Sequence, residues 1–332
     1  VRAVNRAIRD GKKVYLTDDG YIVDTPTFAN LLKNYAIYGD ALYKTPQGQT
    51  LKALKVYAPP HQYYWAGVDT PAHTALALKN LGFDIVNTPE EADVIILESD
   101  NFDKSLLGLK PTIVVGGTAM QRLEELGVVD GFDAEQLKNG GDYEGLMKAI
   151  IDDKDPLTSG YNKNDLFYSN SGNWIAKVPA NFKTLASIAG SDYYIAGWWP
   201  GNEQLANKIV AISGSYKEQP LFIYAGNPTN RLHTIHFYRW VSNAIFGSQL
   251  AQLKDLEKEQ KPSTEVVEII NQKPQAGQAT TLRYTPQPQI MNATRKAQLP
   301  QTGSKENQSS LVIASMFILV SGYLLHLKKK EE

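Results

Sequence analysis

The sequence predicts an α/β body with an open, mostly parallel sheet, followed by a disordered spacer and a C-terminal transmembrane helix. Three observations carry this. "ADVIILES" (Ala92 to Ser99) and "PTIVVGG" (Pro111 to Gly117) are near-continuous apolar runs, the pattern of strands covered on both faces. Helical segments that stop on glycine stand between and after such runs, giving the βαβ rhythm that sets parallel strands side by side. Past residue 247 the aromatic content collapses: the five tryptophans and 16 of the 18 tyrosines precede it, leaving Tyr284 and Tyr323 beyond.

Taken in order, "AVNRAIRDG" reads as a helix near the start of the chain. "LKVYAPP" (Leu54 to Pro60) is a strand halted by its proline pair, "TPAHTALALKNLG" (Thr70 to Gly82) a helix closed by glycine, and "FDIVNT" (Phe83 to Thr88) the next strand. The runs at 92–99 and 111–117 follow, and "TAMQRLEELG" (Thr118 to Gly127) is a second helix with a glycine stop. "NKIVAISGSY" and "PLFIYAG" form a hairpin-like strand pair, and "HTIHFYRWVSNAIFG" closes the body as a helix. No repeat of 20 to 50 residues is visible. The body therefore spans 1–250. Residues 251–298 are rich in Gln, Lys, Glu and Pro, as in "NQKPQAGQATTLRYTPQPQI". Their first part, "SQLAQLKDLEKEQ", reads as a solvated helix, and the rest buries too little apolar surface to order itself. Fully extended, such a spacer reaches about 150 Å.

With 332 residues, 42% of them apolar, the chain can bury a sizeable core, and its net charge of −1 gives no basic bias toward nucleic acid. It has no cysteine, which excludes thiol nucleophiles, thiolate metal sites and disulfides.

In α/β sheets a nucleophile sits where a strand turns into a helix at the carboxyl edge of the sheet. Here that turn is "VVGGTAMQ", with Gly116, Gly117 and Thr118, and neither a G-x-S-x-G nor a base for the threonine accompanies it. It reads as a structural turn, and no catalytic residue is assigned. Of the five histidines (His61, His73, His233, His236, His326), none has Glu three residues on, so the chain lacks H-x-x-E. His233 and His236 share a helix face, but no acid lies in "NPTNRLHTIHFYRW", and Arg231 and Arg239 repel a cation. No metal site is assigned. "DDKD" (Asp152 to Asp155) lacks the spacing and glycine of a calcium loop and reads as a solvated turn.

The C-terminus is punctuated differently. "LPQTG" (Leu299, Pro300, Gln301, Thr302, Gly303) is followed by "SKENQSS", by the apolar run 311–327 "LVIASMFILVSGYLLHL", and by the basic tail 328–332. As a helix of 17 residues the run covers roughly 25 Å, enough to lodge in a bilayer core of about 30 Å. Lys328 to Lys330 hold its end on the cytoplasmic side. This order resembles the sorting signal of Gram-positive surface proteins, LPxTG, hydrophobic span and basic tail. The resemblance implies an extracellular, wall-anchored protein whose precursor sits in the plasma membrane. It implies cleavage of Thr302–Gly303 by sortase and attachment of Thr302 to the peptidoglycan cross-bridge. Sortase, the cross-bridge and, transiently, the membrane are its partners.

The order of body elements resembles the class I glutamine amidotransferase-like fold, whose elbow carries the cysteine this chain lacks. More narrowly, "AVNRAIRDGKKVYL", "GYIVDTPTFANLLKNYAIYG", "AGWWPGNEQLANKIVAI" and "LFIYAGNPTNRLHTIHFYRWVSNAIF" resemble the C-terminal accessory region of bacterial zinc carboxypeptidases of the carboxypeptidase A type. That resemblance implies a non-catalytic region, no cofactor in this chain, and zinc only in an upstream peptidase domain. "VRAVNRAIRDGKKVYL" has no apolar signal core, so an exported protein of this kind is expected to continue upstream. A protein beginning at Val1 after signal cleavage is the competing reading. The rival function is an independent surface module or adhesin that binds glycan or host protein. Trp198 and Trp199 are its candidate aromatic surface, against packing of the pair in core and rim.

Overall fold

The computed structural model describes residues 1–18, 20–43, 50–63, 68–70, 73–137, 144–232 and 234–259, with side chains at 61–63, 68–70 and 251–259 excepted. All lie within the unit Val1–Thr264. The first helix, α1 (Arg2–Arg9), turns Ala3, Val4 and Ala7 inward and its arginines outward, where Arg6 meets Asp10 at 2.8 Å and Arg9 meets Asp84 at 2.6 Å. A hairpin of β1 (Tyr15–Thr17) and β2 (Gly20–Ile22) follows. Next comes α2 (Thr25–Leu31), whose start is fixed by the Asp24 carboxylate accepting from the Thr27 N–H at 2.7 Å.

The parallel half of the large sheet is built from β3 (Lys55–Tyr57), β6 (Asp84–Ile85), β7 (Val94–Leu97), β8 (Thr112–Val115) and β16 (Gln219–Tyr224). Between β3 and β6 come a small hairpin, β4 (His61–Tyr63) with β5 (Val68–Thr70), and the helix α3 (His73–Asn80). α4 (Gly117–Glu125) follows β8. The two apolar runs become β7 and β8, and every residue of both strands is buried. From β3 the chain passes through α3 to β6 on one side, then returns to β7 on the other. The crevice at the carboxyl ends of β3 and β7 is therefore a topological switch point, the ordinary location for a site in such sheets.

The other strands are β9 (Asp133–Gln136), β10 (Glu144–Ile151), β11 (Asn164–Ser169), β12 (Asn173–Lys177), β13 (Lys183–Ile188), β14 (Tyr194–Trp198) and β15 (Ile209–Tyr216). They pair antiparallel, and β15 joins this wing to the parallel half through its hairpin with β16. Here the expectation of a mostly parallel sheet is corrected. Among the described residues the 12-stranded sheet has four parallel pairings and seven antiparallel ones. The physical reason is visible in β10, where Met147, Ala149 and Ile151 are buried while Lys148 and Ile150 are exposed. Such alternation belongs to an antiparallel strand with one face on the core and one toward water.

The closing helix, α5 (Tyr238–Glu259), is preceded by 3-10 turns at Asn230–Leu232 and Ile235–Phe237. Trp240, Val241, Ala244, Ile245 and Phe246 are fully buried along it. Trp240 stacks on Tyr161 with centroids 4.9 Å apart, and its carbonyl accepts from the Tyr224 hydroxyl at 3.2 Å. The helix runs through position 251 to Glu259, so the first turns of "SQLAQLKDLEKEQ" extend the body's last element.

Candidate functional site

The strand-to-helix turn is present at the carboxyl edge. Gly116 leaves β8 with φ 90° and ψ 156°, a conformation open in practice to glycine alone, and its N–H donates to Tyr224 O at 3.0 Å. What the turn lacks is room. A β-carbon on Gly117 would lie 1.9 Å from Asn173 Nδ2 and 2.6 Å from Ser171 Oγ, so β12 and the turn before it lie across the elbow. Thr118, the only hydroxyl of the turn, is exposed on α4.

Beside the elbow, the Glu98 carboxylate at the end of β7 accepts from the N–H groups of His73 at 2.6 Å and Thr74 at 2.9 Å, and from the Thr74 hydroxyl. It thereby caps α3 and places a negative charge at that helix's positive end. Thr74 Oγ1 contacts Thr229 Oγ1 at 2.7 Å; Thr229 donates to Asn227 Oδ1 through N–H and hydroxyl at 2.9 and 2.8 Å. Asn227 in turn donates to Asn170 Oδ1 from its backbone at 3.0 Å. Thr74 and Thr229 are wholly buried. The Glu98 carboxylate thus serves as a helix cap inside a network that ties α3, β7 and the loop after β16 together.

The antiparallel wing presents a different surface. Glu144 on β10 stands directly opposite Trp198 on β14, so the two side chains share a face. Trp198 is 66% exposed. Trp199, expected beside it on the binding surface, is instead 3% exposed. Its ring packs where Gly145 has no side chain, 2.7 Å from the position a β-carbon would take. The split follows from strand geometry, since consecutive side chains point to opposite faces. Gly197 (φ +120°) presses β14 onto β10, and the register shifts between Leu146 and Met147. Such a bulge re-aims the strand's side chains.

Arg231 reaches this face from the loop after β16, with Nη1 3.3 Å from Glu144 Oε1. Its backbone is left-handed (φ 49°), as is that of Leu232 (φ 62°), and its N–H donates to His73 Nδ1 at 3.4 Å. Tyr168 on β11, across from Leu146, accepts from Asn230 Nδ2 at 2.9 Å. Burial pushes the Tyr168 phenol up; the Asn230 hydrogen bond opposes this and the nearby Glu144 charge adds to it. Sequence reasoning missed Glu144, Tyr168 and the side-chain role of Arg231, because the half-polar stretch 128–206 gives no clear strand signal and nothing local links positions 144, 168 and 231.

His233 lies outside the described residues. His236 is held by Asp165, Nε2 to Oδ1 at 3.1 Å, and meets the Tyr161 ring edge-on at 5.4 Å. Among the described residues no group of three or more His, Cys, Asp or Glu could hold a metal ion. "DDKD" is not wholly solvated: Asp155 is 5% exposed, caps the 3-10 turn Pro156–Thr158 through the Leu157 N–H at 2.9 Å, and pairs with Lys183. The pentapeptide Leu299, Pro300, Gln301, Thr302, Gly303 and the apolar run 311–327 lie outside the described residues. Among the described residues no helix is long and apolar enough to cross a membrane.

Comparison with known proteins separates tail from body. Residues 292–332 match the LPXTG cell wall anchor motif family. A search of curated proteins finds no match. Solved structures similar to this chain include a proposed GMP synthase component from Thermoplasma acidophilum, 16% identical, covering 62% of this chain and 98% of its own, with a TM-score of 0.42. A ThuA-like protein from Parabacteroides merdae is 11% identical over 61% of this chain and 91% of its own, with a TM-score of 0.37. A cytoplasmic protein from Salmonella typhimurium is 11% identical over 58% of this chain and 97% of its own, with a TM-score of 0.35. Likenesses of this depth carry no functional information. The anchor match does: this is an extracellular, cell-wall-anchored surface protein that carries the LPXTG sorting signal of Gram-positive bacteria.

Proposed function

We propose that the chain is the non-catalytic accessory region of a zinc-carboxypeptidase-like surface protein, displayed on the wall by its own sorting signal. The observation that supports a non-catalytic body is the obstructed elbow: Gly117 faces Asn173 and Ser171, and the neighbouring carboxylate, Glu98, is spent on capping α3. The motif resemblance of the body supports the parentage, with zinc and peptide hydrolysis belonging to an upstream peptidase domain. In sorting, the nucleophile of sortase attacks the Thr302 carbonyl, the Thr302–Gly303 bond breaks with Gly303 leaving as the free amine, and an amine of the cross-bridge takes the acyl group. One peptide bond replaces another, so the exchange needs no outside energy source. Pro300 restricts its own φ and Gly303 brings no side chain to the leaving side.

The upstream reading frame tests the parentage. An H-x-x-E followed by a distant histidine within the preceding few hundred residues is the expected result, and a signal peptide directly before Val1 contradicts it. At the protein level, the full chain is expected to hold no stoichiometric zinc and to release no C-terminal amino acid from peptides. One tightly bound zinc per chain by elemental analysis contradicts the assignment of metal chemistry to another domain.

A further inference from the structure

We propose that the outer face of the wing, centred on Trp198 with Glu144 and Arg231, is a carbohydrate site that takes the amino-sugar strands of the peptidoglycan to which the chain is anchored. The inference rests on the wall attachment and not on the peptidase parentage.

The cost of the geometry comes first. Arg231 and Leu232 both hold left-handed backbone conformations, which are costly for residues that carry a β-carbon. The ion pair this positions, Arg231 to Glu144, has side chains 66% and 38% exposed, and such a solvent-exposed pair adds little to stability. The strained backbone thus delivers a guanidinium to the surface, where its ion pair does little for the fold and its donors stay within reach of a ligand. A second expense lies opposite, where Gly197 pushes its backbone so near β10 that a β-carbon there would stand 2.1 Å from Glu144 O. The result is a large flat ring, 66% exposed, beside a carboxylate and a guanidinium that cancel in charge.

That combination selects the ligand class. An exposed indole offers a face for the apolar C–H side of a pyranose ring, while the planar, charge-cancelling carboxylate and guanidinium offer acceptors and donors to hydroxyl and acetamido groups. A neutral polyhydroxylated ligand suits a face with no net charge, whereas an anionic or cationic polymer would have to break the Arg231–Glu144 pair. The covalent tether supplies the source. Covalent attachment of the same chain to peptidoglycan keeps wall glycan at an effective concentration that reaches about millimolar, so weak stacking suffices for occupancy. Binding would hold the body against the wall.

The test uses the full chain, tail uncut and purified in detergent, co-sedimented with purified peptidoglycan sacculi. Trp198→Ala is expected to weaken adsorption about tenfold or more, and Trp198→Phe, which keeps a flat ring, to recover most of it. Arg231→Ala is expected to weaken it several-fold. Tyr38→Ala, which removes a ring 97% exposed on the loop after α2, should leave it unchanged. An N-acetylated chito-oligosaccharide should displace the bound protein. Adsorption unchanged by Trp198→Ala, equal weakening by Tyr38→Ala, or displacement only by soluble stem peptide would each overturn the proposal. Thermal unfolding of every variant accompanies the isotherms, and Trp198→Phe guards against misreading a folding defect as lost binding.

Discussion

In the parallel half of the sheet, β7, β8 and the loop after β16 bring Glu98, Gly117 and Asn227 to a common edge, and internal contacts consume all three. In the antiparallel wing, β10 and β14 bring Glu144 and Trp198 to a common face that remains in contact with water. The first edge has the topology that houses chemistry in α/β proteins, yet its polar groups hold secondary structure together. The second has no such reputation, yet carries an exposed aromatic ring, and the strained residue Arg231 reaches across to it from the loop after β16. Topology locates where a site can be; whether side chains there can meet a ligand is decided by packing alone.

The comparison breaks most readily at Gly197. Gly197→Ala forces a β-carbon against Glu144 O at 2.1 Å and Gly145 Cα at 2.8 Å, both backbone, at a φ of +120°. A loss of about 3 kcal/mol or more is expected. It should be accompanied by a red shift of tryptophan emission as β14 lifts and Trp199 is wetted. At the other edge, Gly117→Ala meets a side chain, Asn173, that has some freedom to move, so a smaller loss of about 2 kcal/mol is expected. Pairing it with Asn173→Ala should return much of that loss, a coupling measurable by a double-mutant cycle in denaturant. Gly117→Cys should share the destabilisation and create no hydrolase activity, because the side chains of Asn173 and Ser171 crowd the position.

A third probe sits where the wing meets α5. Backbone N–H groups of Asn162 and Leu166, together with His236, hold the Asp165 carboxyl below its ordinary value against the opposing effect of burial. A depressed carboxyl stabilises the fold above its unfolded pKa, and that stabilisation disappears as pH falls through the folded value. Wild-type stability should therefore decline below about pH 4 more steeply than that of Asp165→Asn, which loses about 1 kcal/mol at neutral pH. Equal acid slopes in urea titrations would show that the carboxylate is not so engaged. The smallest effect is expected at the working face: Trp198→Ala and Arg231→Ala should each shift stability by less than about 0.5–1 kcal/mol, since the first is mostly exposed and the second removes only a solvated ion pair.

The parallel half was legible because strands buried on both faces write themselves as unbroken apolar runs; β7 and β8 match 92–99 and 111–117 closely. Helix ends were legible where glycine or proline marks them, as at Gly82 and Gly127, both with positive φ. The wing was not legible, since its strands are half-polar, and β14 is exposed along most of its length despite its aromatic residues. For the same reason the paired tryptophans look like one feature in the sequence, although strand alternation assigns Trp198 to solvent and Trp199 to the core. Asp155 misled in the opposite direction: a charge cluster suggests a solvated turn, and only the folded chain brings Lys183 to it. The sorting signal was legible without any fold, because its order of pentapeptide, apolar run and basic tail is complete in the sequence itself.

That signal also offers the most direct test of how this body reaches its place. Protein released from cell walls by muramidase should, by mass spectrometry, end at Thr302 with cross-bridge residues attached. Thr302→Ala or Pro300→Ala should leave the fold of the body unchanged and the protein in the membrane fraction with its tail uncut. Wild-type protein found only in membranes, with Glu332 still at its end, would contradict the account.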